Sequence, residues 1–218
     1  MIMKFVAILA ALLMLFTFGC ENINSKHNAA ANTAAKAPWE ERLYTPTFVT
    51  KIDDYYFIVD CWQHRIIYSK DFEAPIREWE TLDAETLGGP HSIAGDGELL
   101  VVDNTGYHKV NVYRKNGEGK FVLNQVIEGI GNRPHRVVYS PEKQGFYVLG
   151  SDSTDIYFFK NINGELQLQF NKKLEFLEDR YTRSFRIINN KMYFVSGASK
   201  IVAARYMDDS FEVLEKYD

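Results

Sequence analysis

The sequence predicts an all-β fold of repeated four-stranded units, the architecture of a β-propeller with about four blades. After residue 38, short runs of Tyr, Phe, Val and Ile alternate with Gly, Asn, Asp and Pro, which is typical of strands and turns. Proline recurs at positions 46, 90 and 134, a constant spacing of 44 residues, and an apolar run follows each time. Four strands in ~44 residues match one propeller blade, whose two faces are buried by stacking against neighbouring blades.

Each unit begins with a strand that is expected to line a central channel. The first strands start at Pro46-Thr47-Phe48-Val49, Pro90-His91-Ser92-Ile93, Pro134-His135-Arg136-Val137 and Ser184-Phe185-Arg186-Ile187. The second strands are predicted at 56–59, 99–102, 146–149 and 192–195, the third at 66–68, 110–113, 156–159 and 201–206, and the fourth at 77–82, 121–127, 166–170 and 211–217. Such blades would form a small closed ring, an open arc or half of a dimeric ring. Only residues 36–44 and 174–180 are expected to hold short helical turns.

The first 19 residues have the composition of a secretion leader. Lys4 precedes an uninterrupted apolar run at 5–19, which is shorter than the roughly 20 residues that a helix needs to span a bilayer. The run ends at Gly19-Cys20, which resembles the lipobox of bacterial lipoproteins. In that family the cysteine is acylated, so the resemblance implies a lipid on Cys20 and a location at the bacterial cell membrane or outer membrane, facing the periplasm or the exterior. The alternatives are an ordinary cleaved signal and an uncleaved anchor.

Residues 20–38 are predicted to be the lipidated cysteine and a flexible tether, because no large apolar residue follows Ile23 in this stretch. Residues 39–218 are predicted to form the propeller domain. With Cys20 lipidated, Cys61 has no intramolecular partner, and an unpaired cysteine is commonly a small buried apolar residue.

The charge of the chain argues against a nucleic-acid partner. The 25 Lys and Arg are outnumbered by 29 Asp and Glu, which gives a formal net charge of −4. A general nucleic-acid binder would need an excess of cations to displace the counterions of phosphate.

Two of the repeats resemble the NHL repeat, whose core reads roughly V-x-D-x-x-N-H-R-I. Residues 59–67 read VDCWQHRII and residues 102–110 read VDNTGYHKV, while 149–156 and 195–201 are degenerate copies. The resemblance covers residues 45–218 and implies an NHL-type propeller. In that family the Asp and the His-cation pair hold the turn, so Asp60, Asp103, His64 and His108 are expected to be structural.

His91 and His135 are the principal candidates for a ligand site, because each begins the channel-lining strand of its blade. Arg136, Arg183 and Arg186 occupy the same region of the repeat and add positive charge, which suits an anionic or carbonyl-bearing ligand. If a metal ion such as zinc or calcium binds there, Asp103 is a third candidate ligand beside the two histidines. The sequence contains no G-x-S-x-G, G-x-x-x-x-G-K-[ST], H-E-x-x-H or C-x-x-C motif.

Two functions remain open at this point. The first is a membrane-tethered binding module for a protein, peptide or glycan, to which the loop aromatics Trp62, Trp79 and Tyr107 would contribute. The second is implied by the resemblance, since related propellers include peptidyl-hydroxyglycine lyases, antibiotic-ring lyases and gluconolactonase-type lactonases, which depend on a metal at the channel. Thr47 and Phe185 stand at the equivalent places in the first and fourth repeats, and this incomplete histidine set favours binding over catalysis. A homodimer is a further expectation from the small number of blades.

Overall fold

Four antiparallel sheets make up the described part of the chain. The computed structural model describes residues 41–177, 181–196 and 200–217, so the predicted leader, Cys20 and the tether lie outside the described residues. Within the described residues, no helix is long and apolar enough to span a membrane.

Each sheet has four strands and is called a blade below, numbered in chain order. Blade 1 contains β1 (Pro46–Ile52), β2 (Tyr55–Asp60), β3 (Arg65–Ser69) and β4 (Glu80–Asp83), and blade 2 contains β5 (Ile93–Gly95), β6 (Leu99–Asn104), β7 (Lys109–Lys115) and β8 (Phe121–Ile127). Blade 3 contains β9 (Pro134–Ser140), β10 (Gly145–Gly150), β11 (Asp155–Ile162) and β12 (Glu165–Lys173), and blade 4 contains β13 (Thr182–Ile188), β14 (Lys191–Ser196), β15 (Ile201–Met207) and β16 (Ser210–Tyr217). The predicted all-β propeller of four four-stranded blades is confirmed.

The predicted elements differ from the observed ones mainly in blade 1. Its fourth strand begins at Glu80 rather than at residue 77, because Ile76–Glu78 form a 3-10 helix. Of the two predicted helical stretches, the one at 174–180 contains a 3-10 helix at Glu175–Leu177. Residues 41–44 of the other stretch form turns and bends, and its remaining residues lie outside the described part.

The hydrophobic core lies between the blades rather than inside any one of them. One cluster, which includes Phe57, Tyr68 and Leu100, fills the space between blades 1 and 2. A second joins blade 2 to blade 3, and a third joins blade 3 to blade 4 around Phe158 and Phe194. Alternating side chains of a strand point to opposite faces, so each middle blade supplies residues to two of these layers.

The blades form an open arc. Successive inner strands lie side by side from β1 to β5, β9 and β13, but the sheets described here do not close into a ring. The small closed ring, one of the three arrangements that the sequence allows, is therefore wrong for this chain. Three interblade clusters join four blades in a row, and a closed ring would need a fourth.

Blade 1 carries its own cover on the face that points away from blade 2. Ile58 and Ile67 on that face are buried under Trp79 and Ile76, and the Trp79 indole donates a hydrogen bond to the Ala74 carbonyl at 2.9 Å. Trp79 is only 4% exposed, so the expectation that it contributes to a binding surface is wrong. The loop that carries Trp79 folds back onto its own sheet because the two isoleucines would otherwise be exposed to water.

Repeated hydrogen bonds connect each blade to the next. His64 and His108 have left-handed backbone angles, with φ of 51° and 56°, at the end of equivalent 3-10 helices. Their Nδ1 atoms accept hydrogen bonds from the backbone N–H groups of Gly89 and Arg133, at 2.8 and 3.0 Å. Both histidines are therefore structural, as the sequence resemblance implies.

Candidate functional site at the channel mouth

A β-bulge at the start of the inner strand directs one side chain of the blade toward the channel mouth. The bulged residues are Thr47 in blade 1, His135 in blade 3 and Arg183 in blade 4, and His91 is their equivalent in blade 2. A bulge leaves its extra residue out of the strand pairing and re-aims it, which is why bulges are frequent at functional sites. The fourth repeat therefore begins at Thr182, and the sequence-based alignment that placed Phe185 beside the two histidines is wrong. Phe185 is buried in the core between blades 3 and 4.

The two predicted histidines lie against each other. The rings of His91 and His135 are stacked, with centroids 3.7 Å apart and planes 17° apart. Nε2 of His91 lies 3.6 Å from the thiol Sγ of Cys61 in blade 1, and the His135 ring meets Tyr181 edge-on at 6.0 Å. The site is thus a row of side chains from blades 1 to 4 across the inner ends of the blades.

Both imidazoles are neutral at ordinary pH. Burial, the neighbouring His135 and the cations of Arg133 and Arg183 lower the pKa of His91 to about 3. Burial also lowers the pKa of His135, to about 4. Hydrogen bonds with the backbone of Arg183 and of His135 itself raise this pKa, but the effect of burial is larger. Burial and the charges of Asp103 and Asp60 raise the pKa of Cys61 to about 11, so its thiol stays protonated and unreactive.

Asp103 is structural, as the sequence resemblance implies, but it is not the equivalent of Asp60 and it is not placed as a metal ligand. Strand pairing and the following 3-10 helix make Asn104 the equivalent of Asp60, and Asp103 occupies the place of the apolar Val59. The Asp103 carboxylate is fully buried and accepts hydrogen bonds from the His91 backbone N–H and the Thr105 hydroxyl, both at 2.8 Å, and from the Ser92 hydroxyl. Burial raises the pKa of Asp103 to about 7, although these hydrogen bonds to the carboxylate lower it. Asp103 therefore fixes the backbone that carries His91 instead of facing the channel.

The described residues do not supply a convincing metal centre. No group of three or more His, Cys, Asp or Glu in the described ranges is arranged to hold a metal ion. His91 and His135 present stacked ring faces to each other, and Asp103 is already occupied by three donors. A catalytic zinc site needs three converging protein ligands, so His91, His135 and Asp103 do not fit the ion that the sequence left open.

Arginines dominate the charge around the two histidines. The guanidinium groups of Arg133 and Arg183 lie over the Tyr181 ring, 5.7 and 5.2 Å from its centroid. Arg136 extends to blade 1, where its guanidinium lies 4.2 Å from the centre of the Phe48 ring. The Nε atom of Arg136 is buried without a hydrogen-bond partner, and burial lowers the pKa of this group. None of these three arginines makes an ion pair with another described residue.

Arg186, the remaining arginine of the predicted cluster, is close enough to Arg136 for its positive charge to lower the pKa of that group. It is exposed on β13 and alternates with Phe185 and Ile187, which pack toward blade 3. Its side chain therefore points to the face of blade 4 that is turned away from blade 3.

Sequence reasoning missed three members of this site. Arg133 precedes the proline of the third repeat, and Tyr181 precedes the first residue of the fourth; both could have been found by examining the residue before each inner strand. Cys61 was expected only to be a small buried residue, although it directly follows β2 at the end of the blade where the inner strand begins. The two exposed aromatics Trp62 and Tyr107 lie on the 3-10 helices at this end, 63% and 54% exposed.

The fold and this site define a β-propeller-type protein whose inner strands carry cations and imidazoles at one mouth. No family model and no curated protein matches the sequence. Among solved structures, the chain is similar to a proposed 6-phosphogluconolactonase from Bacteroides uniformis, with a TM-score of 0.64, 15% identity, and coverage of 78% of this chain and 56% of that one. It is also similar to a protein from Lactobacillus plantarum, with a TM-score of 0.60, 18% identity, and coverage of 79% and 55%.

A third similar structure is a periplasmic gluconolactonase from Pseudomonas aeruginosa, with a TM-score of 0.57, 15% identity, and coverage of 78% of this chain and 52% of that one. The chain thus spans about half the length of the solved structures it matches. At these identities the similarity establishes the propeller fold alone.

Proposed function

We propose that this chain is a binding module whose channel mouth takes a saccharide that bears a carboxylate or phosphate group. The observation that carries the proposal is that the charges of Arg133 and Arg183 act on two neutral imidazoles, and neither arginine makes an ion pair with another described residue. Arg136 adds a third cation in the same region, near the buried Asp103. Guanidinium groups form strong charge-assisted hydrogen bonds with carboxylate and phosphate. Trp62 and Tyr107 are exposed at the same end of the blades and offer apolar ring faces to a sugar.

The protonation state of the histidines favours binding over catalysis. A general base works best when its pKa lies near the operating pH. His91 and His135, with pKa values lowered to about 3 and about 4, accept hydrogen bonds from a ligand at neutral pH but are poor bases.

Titration calorimetry tests the binding proposal directly. We expect gluconate, 6-phosphogluconate or an oligogalacturonate to bind, and glucose to bind more weakly, because only the acidic sugars can engage the arginines. A charge-assisted hydrogen bond contributes about 1.5–3 kcal/mol, so Arg133→Gln with Arg183→Gln should weaken binding by at least about tenfold. Arg77→Gln, which changes an exposed arginine on the far loop of blade 1, is the matched control. Equal affinity for glucose, or an unchanged affinity in the double variant, would reject the proposal.

A lactonase is the second candidate, and the similar structures favour it. Two of the three solved structures described above are named as lactonases of sugar acids. In this reading the arginines hold the phosphate of a sugar lactone while water adds to the ring carbonyl. The ring C–O bond to the acyl carbon then breaks, and the released oxygen takes up the proton of the water and leaves as a hydroxyl group beside the new carboxyl group. Hydrolysis of 6-phosphogluconolactone above its spontaneous rate, lost in the Arg133→Gln/Arg183→Gln variant, would support this candidate over simple binding.

We further propose that the chain is tethered to a membrane through Cys20 and that its blades are NHL-type repeats. The apolar run at 5–19 and the Gly19-Cys20 junction support acylation of Cys20 and attachment to the cell membrane or outer membrane. The Asp60–Arg65 ion pair at 3.2 Å and the hydrogen bonds of His64 and His108 to the following blade support an NHL-type repeat.

A further inference from the structure

A second cavity lies at the end of blade 2 that is opposite the channel mouth. It has a volume of about 290 Å³ and is bounded by the turn between β1 and β2, the turn between β5 and β6, the end of β7 and the start of β8. The side chains that matter for its chemistry are Asp53, Glu98, Leu100, Arg114, Lys115 and Phe121. None of them belongs to the site at the channel mouth.

One wall of this cavity is apolar and firmly packed. The Phe121 ring meets the rings of Tyr55 and Tyr68 in blade 1 edge-on, with centroids 5.5 and 5.1 Å apart. Leu100 belongs to the same hydrophobic cluster between blades 1 and 2. Because both residues are anchored in the core, they offer a fixed apolar surface to a ligand.

Two cations line the cavity at the end of β7. The Lys115 ammonium lies 4.7 Å from the centre of the Tyr55 ring and 5.2 Å from that of Phe121, so cation–π contacts hold it at the apolar wall. Arg114 precedes it in the same strand. Neither cation makes an ion pair with another residue of the described ranges. Both can therefore pair with an anionic group of a ligand.

Two carboxylates line the cavity at its hairpin turns. The Asn161 amide of blade 3 donates to Oε2 of Glu98 at 2.9 Å, which fixes the carboxylate and leaves Oε1 without a donor among the described residues. Asp53 likewise makes no ion pair in the described ranges. Asp96 differs from them, because its carboxylate already accepts the Asn161 amide and the backbone N–H groups of Glu98 and Leu99.

Opposite charges thus approach each other in the cavity without pairing. A methyl group added at Gly164 would lie 3.2 Å from Oε1 of Glu98 and 3.6 Å from Nη1 of Arg114, so both groups reach the same turn of blade 3. They form no ion pair with each other. A ligand that carries an ammonium and a carboxylate on one carbon atom can contact both groups at once.

We propose that this cavity binds a free α-amino acid with an apolar side chain. The two cations hold its carboxylate, the two carboxylates hold its ammonium, and its side chain lies on the apolar wall. The four lining charges cancel, so a ligand with a single charge would satisfy only one of the two pairs. Ligand sites in proteins have volumes of roughly 300–1,000 Å³, and a cavity at the lower end of this range suits a molecule of this size.

Titration calorimetry of the full chain with charge-blocked analogues tests the proposal. We expect L-leucine to bind, and N-acetyl-L-leucine and L-leucinamide to bind at least about tenfold more weakly, because each analogue lacks one of the two charges. Glycine should also bind more weakly, since it has no side chain to cover the apolar wall. If L-leucine, L-methionine and L-phenylalanine all fail to bind, or if either analogue binds as tightly as L-leucine, the proposal is overturned.

Two variants test which residues recognise each charge. Arg114→Gln should weaken the binding of L-leucine about tenfold and reduce its preference over L-leucinamide, whereas Glu98→Gln should reduce its preference over N-acetyl-L-leucine. Lys120→Gln and Glu118→Gln, which change exposed charges in the turn between β7 and β8, are the matched controls. Thermal unfolding shows that each variant is folded. Folded Arg114→Gln and Glu98→Gln variants that keep both wild-type preferences would show that the proposed contacts are wrong.

Discussion

His91 and His135 show how much a local environment changes the chemistry of a residue. Each follows a proline at the start of an inner strand, which suggested ligands for a metal. In the fold the two rings are stacked at 3.7 Å and surrounded by arginines, and this arrangement keeps both neutral. In the proposed site they would form an uncharged surface beside the guanidinium groups of Arg133 and Arg183.

The two histidines should make the fold less stable in acid. Their pKa values fall from an ordinary 6.5 to about 3 and about 4 in the fold, so the unfolded chain binds protons first as the pH decreases. The stability that they contribute is complete above pH 6.5 and is lost as the pH falls toward 3. The loss is at most about 1.4 kcal/mol per pH unit for each group, and partial exposure makes it smaller. Urea unfolding of His91→Gln/His135→Gln between pH 4 and 6.5 should give a flatter profile than the wild type.

Asp103 should change the pH dependence of stability in the opposite direction to the two histidines. Its pKa is raised from 3.8 to about 7, so its contribution to stability is lost as the pH rises through that range. Asp103→Asn should therefore make the acid loss of stability steeper. His27→Gln in the tether is the matched control for the histidine variant, and a double histidine variant with the wild-type slope would contradict the assignment.

At the scale of elements, hydroxyl groups at the ends of the second strands hold consecutive blades together. The Thr105 hydroxyl in blade 2 shares its one hydrogen between the Pro134 carbonyl at 2.6 Å and the Asp103 carboxylate at 2.8 Å. Ser151 in blade 3 donates to the Thr182 carbonyl at 2.7 Å. Both carbonyls belong to the first residue of the inner strand of the next blade. Cys61 occupies the same place in blade 1, where its thiol faces His91 instead.

Removing these hydroxyls should destabilise the arc. Thr105→Val and Ser151→Ala each leave a buried carbonyl without its donor, which costs about 1–3 kcal/mol of the free energy of unfolding. Urea denaturation measures the change, and Thr81→Val, an exposed threonine on β4, should change it by less than about 0.5 kcal/mol. The interpretation fails if the buried and exposed threonine variants lose equal stability.

For the whole molecule, the proposed lipid anchor on Cys20 can be tested by where the chain is found. We expect the wild-type chain to sediment with bacterial membranes and to partition into detergent, because an acyl group and an apolar leader both favour lipid. Cys20→Ser should abolish incorporation of labelled palmitate and release the processed chain, whereas Cys61→Ser should leave both unchanged. Palmitate labelling that persists in Cys20→Ser would reject lipid attachment at this residue.

Much of the architecture could be predicted because it is periodic. Pro46, Pro90 and Pro134 mark three inner strands, and the alternating apolar runs after them give most of the second and third strands. The predicted start of the fourth repeat was two residues too late, because the connection before it is longer and Ser184-Phe185-Arg186-Ile187 resembles the starts of the other inner strands although β13 begins at Thr182. Asp103 was equated with Asp60 because both follow valine, although the strand pairing aligns Asn104 with Asp60.

The sequence by itself determined the all-β class, the four blades and the two histidines at the channel mouth, because strand periodicity and turn residues are local properties of the chain. Only the tertiary structure decided that the arc stays open, that Arg136 reaches the Phe48 ring and that Phe185 is buried in the core between blades 3 and 4. These features depend on how β-bulges and sheet stacking orient side chains that are 44 residues or more apart in the chain. No pattern of neighbouring residues encodes that orientation, because it arises from the packing of one blade on the next.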